Sequence, residues 1–256
     1  MRNIFITAIA AMAFAGAAHA AEVSGEVSLD FAETAAGNWG GTMGLDLGVD
    51  AGQGTVALGF EAVSGGALTL DTWTVGTTVG GVGFAIGNDN GVFVGAEGEH
   101  TLAAPAMTES VKVTVGDAAV AVGFTDWTAD VTDISNIQGA YTLGGVAGLL
   151  DVTAAVDYNL TTENTVLGAS VGGFAVGQAS LGGAVTYDVD AELFAYEGVA
   201  NAMGITAYVN GDQNDAFQNV GGSYDYILGG ATLSAGANYD VNASEFAPTV
   251  GLSFAF

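Results

Sequence analysis

The stretch Glu22-Val-Ser-Gly-Glu-Val-Ser-Leu-Asp-Phe31 decides the fold class, because its residues alternate between two kinds. Apolar residues or glycine occupy every second position from Val23 to Phe31, and acidic residues or serine occupy the positions between them. Successive side chains of a β-strand point to opposite faces. The period of two therefore predicts a strand with one apolar face and one acidic face.

The same alternation recurs along the chain, which favours an all-β fold. Further segments that show it are Thr42–Asp50, Thr55–Glu61, Val111–Val115, Asp151–Tyr158 and Thr232–Asp240. Hydrophobic residues make up 50% of the chain, yet 28 Asp and Glu are scattered among them. A buried soluble core does not hold carboxylates without paired cations. Alternation suits both a sandwich and a lipid-facing barrel, and the period alone does not separate the two.

The C-terminal strand favours the barrel. Pro248-Thr-Val-Gly-Leu-Ser-Phe-Ala-Phe256 places Val250, Leu252, Phe254 and Phe256 on one face. Chain ends usually fray, so a soluble domain gains nothing from an aromatic last residue. The segment resembles the C-terminal strand signature of bacterial outer-membrane barrels, which the barrel assembly machinery recognises. The resemblance implies that Phe254 and Phe256 form an assembly signal and that this machinery is a partner.

The first twenty residues have the three parts of a secretory signal. Arg2 supplies a short basic start, Ile4–Phe14 is an apolar run, and Ala18-His19-Ala20 offers small residues for cleavage after Ala20. The sequence thus predicts a signal peptide over 1–20 and one outer-membrane β-barrel domain over 21–256, since no linker divides the remainder. Cysteine is absent, so disulfides do not stabilise the exported domain.

Charge limits the partners of the exported domain. With residues 1–20 removed, Lys112 is the only Lys or Arg against 28 Asp and Glu, a formal charge of −27. Phosphate neutralisation and polybasic lipid contact both need Lys or Arg, so we expect no nucleic acid partner. We expect cations as partners, and contact with lipopolysaccharide phosphates bridged by divalent ions.

Short and long connections alternate, which is typical of an up-and-down antiparallel meander. Tight turns are predicted at Gly52-Gln53-Gly54, Gly80-Gly81, Gly116-Asp117, Gly144-Gly145, Gly172-Gly173 and Gly229-Gly230. Longer polar connections lie at 32–40, 88–109, 126–133, 159–163, 210–216 and 240–245. The number of strand-like segments between these connections predicts a transmembrane β-barrel of about sixteen strands if Leu181–Asp190 is a loop. Fourteen strands is the alternative. A barrel of this size holds an aqueous channel.

The longest connection, Asn88–Glu109, follows the fifth predicted strand. In this layout the chain resembles an alphaproteobacterial general-diffusion porin. The segments Gly221-Gly-Ser-Tyr-Asp-Tyr226, Gly229-Gly-Ala-Thr-Leu-Ser-Ala-Gly236 and Val250–Phe256 are similar to the last three strands of such porins. The resemblance implies an outer-membrane channel of a Gram-negative bacterium for passive diffusion of small hydrophilic solutes. It also implies a homotrimer in the outer-membrane lipid.

In such porins the third outer loop folds into the barrel and narrows the pore. The resemblance therefore implies a constriction that contains Asp89, Glu97, Glu99 and Glu109. The sequence departs from the family in its charge, because only Lys112 and His100 are available as bases for the opposite wall. We accordingly expect a cation-preferring lumen. The residues expected to line it are Glu26, Asp30, Asp46, Asp50, Glu61, Lys112 and Asp157, since a charge facing lipid is costly.

Other functions have weaker support in the sequence. Asn88–Gly91 and Asn210–Asp215 are acidic loops that could take up Ca²⁺ or Mg²⁺ through oxygen ligands, but neither has the spacing of an EF-hand. We expect no other cofactor. We also expect no enzymatic activity, because His100 is the sole histidine left as a base. The alternative is an exported structural or adhesive β-rich surface protein that binds divalent cations.

Overall fold

A computed structural model describes residues 22–33, 39–50, 54–63, 67–88, 91–93, 107, 109–125, 133–146 and 150–256. The predicted signal peptide lies outside this part, as do Asp89, Glu97 and Glu99 of the predicted constriction. Within these ranges, no helix has the length and apolar character needed to cross a membrane.

The described residues form sixteen strands. They are β1 Glu22–Glu33, β2 Trp39–Asp50, β3 Gly54–Val63, β4 Thr69–Val79, β5 Val82–Gly87, β6 Glu109–Val115, β7 Ala118–Phe124, β8 Ile134–Val146, β9 Leu150–Asn159, β10 Asn164–Val176, β11 Ala179–Asp188, β12 Leu193–Ala202, β13 Ile205–Asp212, β14 Asn219–Leu228, β15 Ala231–Asp240 and β16 Glu245–Ala255.

Each strand pairs antiparallel with the next one along the chain, and β1 also pairs with β16. The sheet is therefore a closed barrel without free edges. At the seam, the Gly25 N–H donates to the Phe256 carbonyl at 3.0 Å, and the Phe256 N–H donates to the Gly25 carbonyl at 2.9 Å. The all-β up-and-down barrel predicted from the sequence is confirmed, including its sixteen strands.

The two faces of the barrel wall differ in chemistry. Large apolar side chains are exposed on one face, as at Val23, which is 63% exposed, and Phe254, which is 46% exposed. The largest fully buried side chains of the described residues are instead polar, namely Gln138, Asn136, Asp157 and Ser110. Strand register places all four on the opposite face. Because a closed barrel encloses one face only, the polar face is the interior.

One predicted turn is wrong. The sequence predicts a tight turn at Gly172-Gly173, but β10 continues through it to Val176, with an irregularity in its pairing between Val171 and Phe174. The chain reverses instead at Gly177-Gln178, where Gly177 has a φ of 65°. Glycine marks a bulge within a strand as readily as a turn, so a glycine pair alone does not locate the reversal.

The loop predicted at Leu181–Asp190 is also wrong. Ala179–Asp188 is strand β11, and it pairs along its length with β10 and β12. Gly182, Gly183 and Ala184 interrupt the alternation of large apolar and polar residues in this strand. Their small side chains suit either face, and this hides the period of two that identifies the other strands.

Candidate functional site

Strands β1 and β2 bring acidic side chains together on the inner face of the barrel. Glu26 lies directly opposite Asp46, and Glu22 lies directly opposite Asp50. Like charges at directly opposite positions of an antiparallel pair destabilise the sheet. This stretch of wall therefore carries a negative potential that a nearby cation would relieve.

Asp30 and Glu61 extend this acidic wall to both sides. Asp30 of β1 faces Gly251 of β16. Glu61 of β3 faces Gly44 of β2 and shares the inner face with Asp46. The five acids predicted from β1 to β3 as pore lining, Glu26, Asp30, Asp46, Asp50 and Glu61, thus share one face of three neighbouring strands.

Wall glycines leave room for two of these carboxylates. A Cβ placed on Gly251 would lie 2.5 Å from Asp30 Oδ1, and one placed on Gly59 would lie 3.0 Å from Asp46 Oδ1. Both acidic side chains therefore lie along the wall over a glycine of the neighbouring strand. A recess of about 480 Å³ is lined by Glu26 and Asp46.

Lys112 lies on a different part of the inner wall. It faces Ala85 of β5 on one side and Ala121 of β7 on the other. From β4 to β8, the paired inner positions of the described residues carry no carboxylate and hold mainly Thr, Ser, Gly and Ala. The inner wall from β4 to β8 is therefore nearly neutral and contains Lys112, in contrast to the acidic wall at β1 to β3.

Asp157 lies deeper in the wall than the other predicted lining acids. It is 1% exposed on the inner face of β9, directly opposite Gln138 of β8. The Asn136 Nδ2 atom donates to its Oδ1 atom at 2.7 Å, and Gln138 forms a second side-chain hydrogen bond with the carboxylate. A carboxylate that is covered in this way is a structural anchor and contributes little contact surface to solutes.

The chain after β5 enters the barrel. The Val92 N–H donates to Gln138 Oε1 at 2.9 Å, although Gln138 lies three strands away on β8. Asn88 starts the segment by accepting from the Trp73 N–H at 2.6 Å and donating to the Asp71 carbonyl at 2.5 Å. Glu109, a predicted constriction residue, is the first residue of β6, at a position paired with Phe124.

Sequence reasoning missed the polar residues that receive this segment. Gln138, Asn136 and Ser110 are each no more than 1% exposed on the inner face. Buried polar side chains are normally paired, and here the Ser135 hydroxyl donates to Asn136 Oδ1 at 2.8 Å. The only signal in the sequence was that polar residues alternate with apolar ones in β8. Alternation alone does not distinguish a buried polar side chain from one that faces water.

A row of amides lines another part of the wall, across β13, β14 and β15. The Asn219 Nδ2 atom donates to Asn210 Oδ1 at 3.2 Å, and the Asn238 Nδ2 atom donates to Asn219 Oδ1 at 3.1 Å. The Tyr208 hydroxyl donates to Asn238 Oδ1 at 3.2 Å. These bonds fix the side chains against the wall and supply uncharged polar surface to the interior.

The loop at Asn210–Asp215 was a candidate calcium site. Its central carboxylate, Asp212, instead accepts hydrogen bonds from the loop itself and from Gln218. Asp212 Oδ1 accepts from the N–H groups of Asn214 and Asp215, and Asp212 Oδ2 accepts from Gln218 Nε2. In the part of the chain that the structure describes, no group of three or more His, Cys, Asp or Glu is arranged to hold a metal ion. Asp89 of the other candidate loop and His100 lie outside that part.

Comparison with known proteins assigns this barrel to a fold. No protein-family model matches the chain, and no curated protein matches its sequence. A variant of the Rhodopseudomonas blastica porin matches with a TM-score of 0.64 and 12% identity, over 93% of this chain and all of that chain. Pseudomonas putida OprB matches with a TM-score of 0.60 and 12% identity, over 92% of each chain.

The chain has the porin fold. An anion-selective porin from Comamonas acidovorans shares it, with a TM-score of 0.55 and 14% identity over 93% of this chain and 99% of that chain. The resemblance to porins that the sequence predicted is thus confirmed at the level of the fold. At identities this low, the porin fold does not determine which solutes pass, since that depends on the inner side chains of each barrel.

Within the porin fold, the described inner wall differs sharply between its parts. The acidic pair Glu26 and Asp46 lies on β1 and β2, and the polar anchor around Gln138 lies on β8 and β9. The segment that follows β5 begins at the end of a strand of the neutral wall and contacts the polar anchor at Gln138. The inner face therefore presents surfaces of different charge at these two places.

Proposed function

We propose that the protein is an outer-membrane porin that lets small hydrophilic solutes diffuse passively and prefers cations. The observation that carries the proposal is the pair Glu26 and Asp46, directly opposite each other on the inner face of a closed barrel whose outer face is apolar. An apolar outer face suits hydrocarbon, and a closed barrel satisfies every backbone hydrogen bond there. A polar inner face of sixteen strands suits a water-filled channel.

The cation preference follows from the chemistry of the lining. Acids that line a narrow lumen raise the local concentration of cations and repel anions. Lys112, on β6, is the only Lys or Arg of residues 21–256, so little positive charge opposes the acids at β1 to β3. Porin barrels of this fold include an anion-selective member, so the sign of selectivity depends on the lining residues.

Several further features belong to the same proposal. The segment Asn88–Glu109 narrows the channel, and three of these channels assemble as a trimer in the outer membrane of a Gram-negative bacterium. Phe254 and Phe256 serve the barrel assembly machinery. Divalent ions such as Ca²⁺ or Mg²⁺ bridge the acidic loops to lipopolysaccharide phosphates, since the described outer loops supply carboxylates such as Glu163 and Glu192.

Bilayer recording tests the proposal directly. The purified protein is added to a planar bilayer under a KCl gradient at neutral pH, and the reversal potential is measured. We expect stepwise conductance and a reversal potential of cation-selective sign. A potential near zero, or of the opposite sign, would contradict the acidic-channel assignment, and an absence of conductance would contradict the channel itself.

Cell fractionation tests the location and the competing surface-protein function. A barrel should remain with the outer membrane after chelation and should enter detergent as a heat-modifiable band. A structural or adhesive surface protein held by divalent cations should instead be released by the chelator. Release would therefore overturn the assignment to the membrane.

A further inference from the structure

The segment Gly91–Phe93 lies against the inner wall below the rim of the barrel. Its contact is Gln138, the fifth residue of β8, whose first residue is Ile134. Four residues of strand span about 13 Å, so the Val92 N–H meets the wall well inside the barrel. A Cβ placed on Gly91 would lie 3.3 Å from Gln138 Oε1, which puts the adjacent residue against the same side chain.

The orientation of the Gln138 amide is fixed from behind. Asp157 lies directly opposite Gln138 and accepts a hydrogen bond from it. The Gln138 Oε1 atom accepts from the Val92 N–H, so the Nε2 atom is the group that donates to Asp157. The Oε1 atom then faces the lumen, where the Val92 N–H donates to it. If the Gln138 amide were turned the other way, its Nε2 donor would meet the Val92 N–H, which is also a donor.

Asn136 holds Asp157 in turn. Its Nδ2 atom donates to Asp157 Oδ1 at 2.7 Å, while its own Oδ1 atom accepts from the Ser135 hydroxyl at 2.8 Å. Gln138 is 0% exposed and Asn136 and Asp157 are each 1% exposed. A fully buried polar network of this kind has one low-energy arrangement, because each lost partner leaves a desolvated group.

We propose that Gln138, oriented by Asp157 and Asn136, is the positioning residue that holds Gly91–Phe93 inside the barrel and thereby sets the width of the channel. The inference rests on the proposed channel function and adds the wall residue on which the width depends. Gln138 touches the segment and acts on the solute only through it.

Single-channel recording of Gln138→Met tests the inference. Methionine keeps a similar length and loses both hydrogen-bonding atoms, so we expect a larger conductance and more open-channel noise than in the wild type. Asn201→Leu is the matched control, because Asn201 is an inner amide that pairs with Thr206 and is remote from the segment in the strand order. The control should keep wild-type conductance.

A covalent link provides the second measurement. The chain has no cysteine, so a Gly91→Cys, Gln138→Cys double variant carries the only two thiols. A short, reducible bis(methanethiosulfonate) reagent, whose spacer replaces the length of the Gln138 side chain, should link them and give wild-type conductance, and reduction should raise the conductance to that of Gln138→Met. Heat-modifiability of each variant shows that the barrel is intact.

The possible outcomes distinguish failure of the inference about Gln138 from failure of the proposed channel function. If Gln138→Met conducts as the wild type does, or changes no more than Asn201→Leu, Gln138 does not set the width. Failure of the linker to join the two thiols, with each thiol shown to be accessible on its own, would show that the segment does not lie at Gln138 and would equally overturn the inference. A wild-type protein without conductance is a different result, which refutes the proposed function.

Discussion

Glu26 of β1 and Asp46 of β2 lie directly opposite each other on the inner wall, so two carboxylates occupy one register position of the sheet. Such a pair is unfavourable for folding by itself. Its presence in a wall that also carries Asp30 and Glu61 gives this part of the inner face a negative potential. A chain with 28 acids and two Lys or Arg has little means of neutralising it internally, and dissolved cations are left to do so.

Neutralising this pair should reduce cation preference more than removing the same charge elsewhere. In Glu26→Gln, Asp46→Asn, we expect the reversal potential under a KCl gradient to move toward zero, because two paired carboxylates of the inner wall are lost. Glu163→Gln, Glu192→Gln is the control, since both residues lie in exposed turns between strands. Equal shifts in the two variants would mean that the inner pair has no special effect.

Leu45→Arg tests which face meets the lipid. Leu45 pairs with Val27 on β1 and Phe60 on β3, all on the outer apolar face. An arginine at the midplane of the bilayer on this face should cost about 2–4 kcal/mol of barrel stability. Asp46→Asn, one residue along the strand, should cost far less.

Denaturant titration of both variants, refolded into lipid vesicles, measures the difference in unfolding free energy. The reverse order of stability would show that the two faces are assigned backwards. A cost for Leu45→Arg no larger than that for Asp46→Asn would show that this position does not face hydrocarbon.

Phe256→Ala should impair assembly although it leaves the backbone unchanged. The Phe256 ring covers Gly25 across the seam, because a Cβ placed on Gly25 would lie 2.5 Å from Phe256 Cζ. Loss of the ring exposes the backbone where β1 and β16 close the sheet. We expect less heat-modifiable barrel in the outer membrane, measured by band shift after fractionation.

Phe246→Ala is the matched control for the seam. Phe246 is 64% exposed, close to the 66% of Phe256, but it is the second residue of β16, whereas Phe256 directly follows the last residue of that strand. Its substitution should leave the yield of barrel near that of the wild type. Similar losses in both variants would assign the effect to lost apolar surface in general.

The outline of the fold could be predicted from the sequence because its signal is local. The alternation in Glu22–Phe31 and the apolar face of Val250–Phe256 each predict a strand and its two faces without reference to the rest of the chain. Turn positions were predicted less well where glycine is dense. Gly172-Gly173 lies within β10, and Leu181–Asp190 is mostly β11, because small residues carry no preference for a face.

The anchor at Gln138 could not be predicted from the sequence, since it depends on a contact between residues 46 positions apart. The register that puts Gln138 opposite Asp157 and within reach of Val92 exists only once β5 to β9 have paired. In the sequence, Gln138 is one polar residue in an alternating strand. Its burial distinguishes it, and burial is a property of the closed barrel.

Lys112→Gln should increase cation preference, because it removes the only Lys or Arg of residues 21–256. Lys112 lies on the inner wall between two alanines, Ala85 and Ala121, which leave its ammonium group access to the lumen. The shift in reversal potential should be largest in dilute salt. Screening lengths fall from about 8 Å at physiological ionic strength to about 3 Å at roughly 1 M, so a single wall charge then stops influencing ions at the centre of a wide pore.

The matched control for Lys112→Gln is Thr114→Gln, which places the same amide two residues along the inner face of β6 without changing the charge. Comparison of the two separates loss of charge from added bulk, since both variants carry glutamine on the neutral wall. If both raise cation preference equally, bulk is the cause and Lys112 exerts no field on passing ions. If only Lys112→Gln does so, and the effect fades as KCl rises, the single base opposes the acidic wall electrostatically.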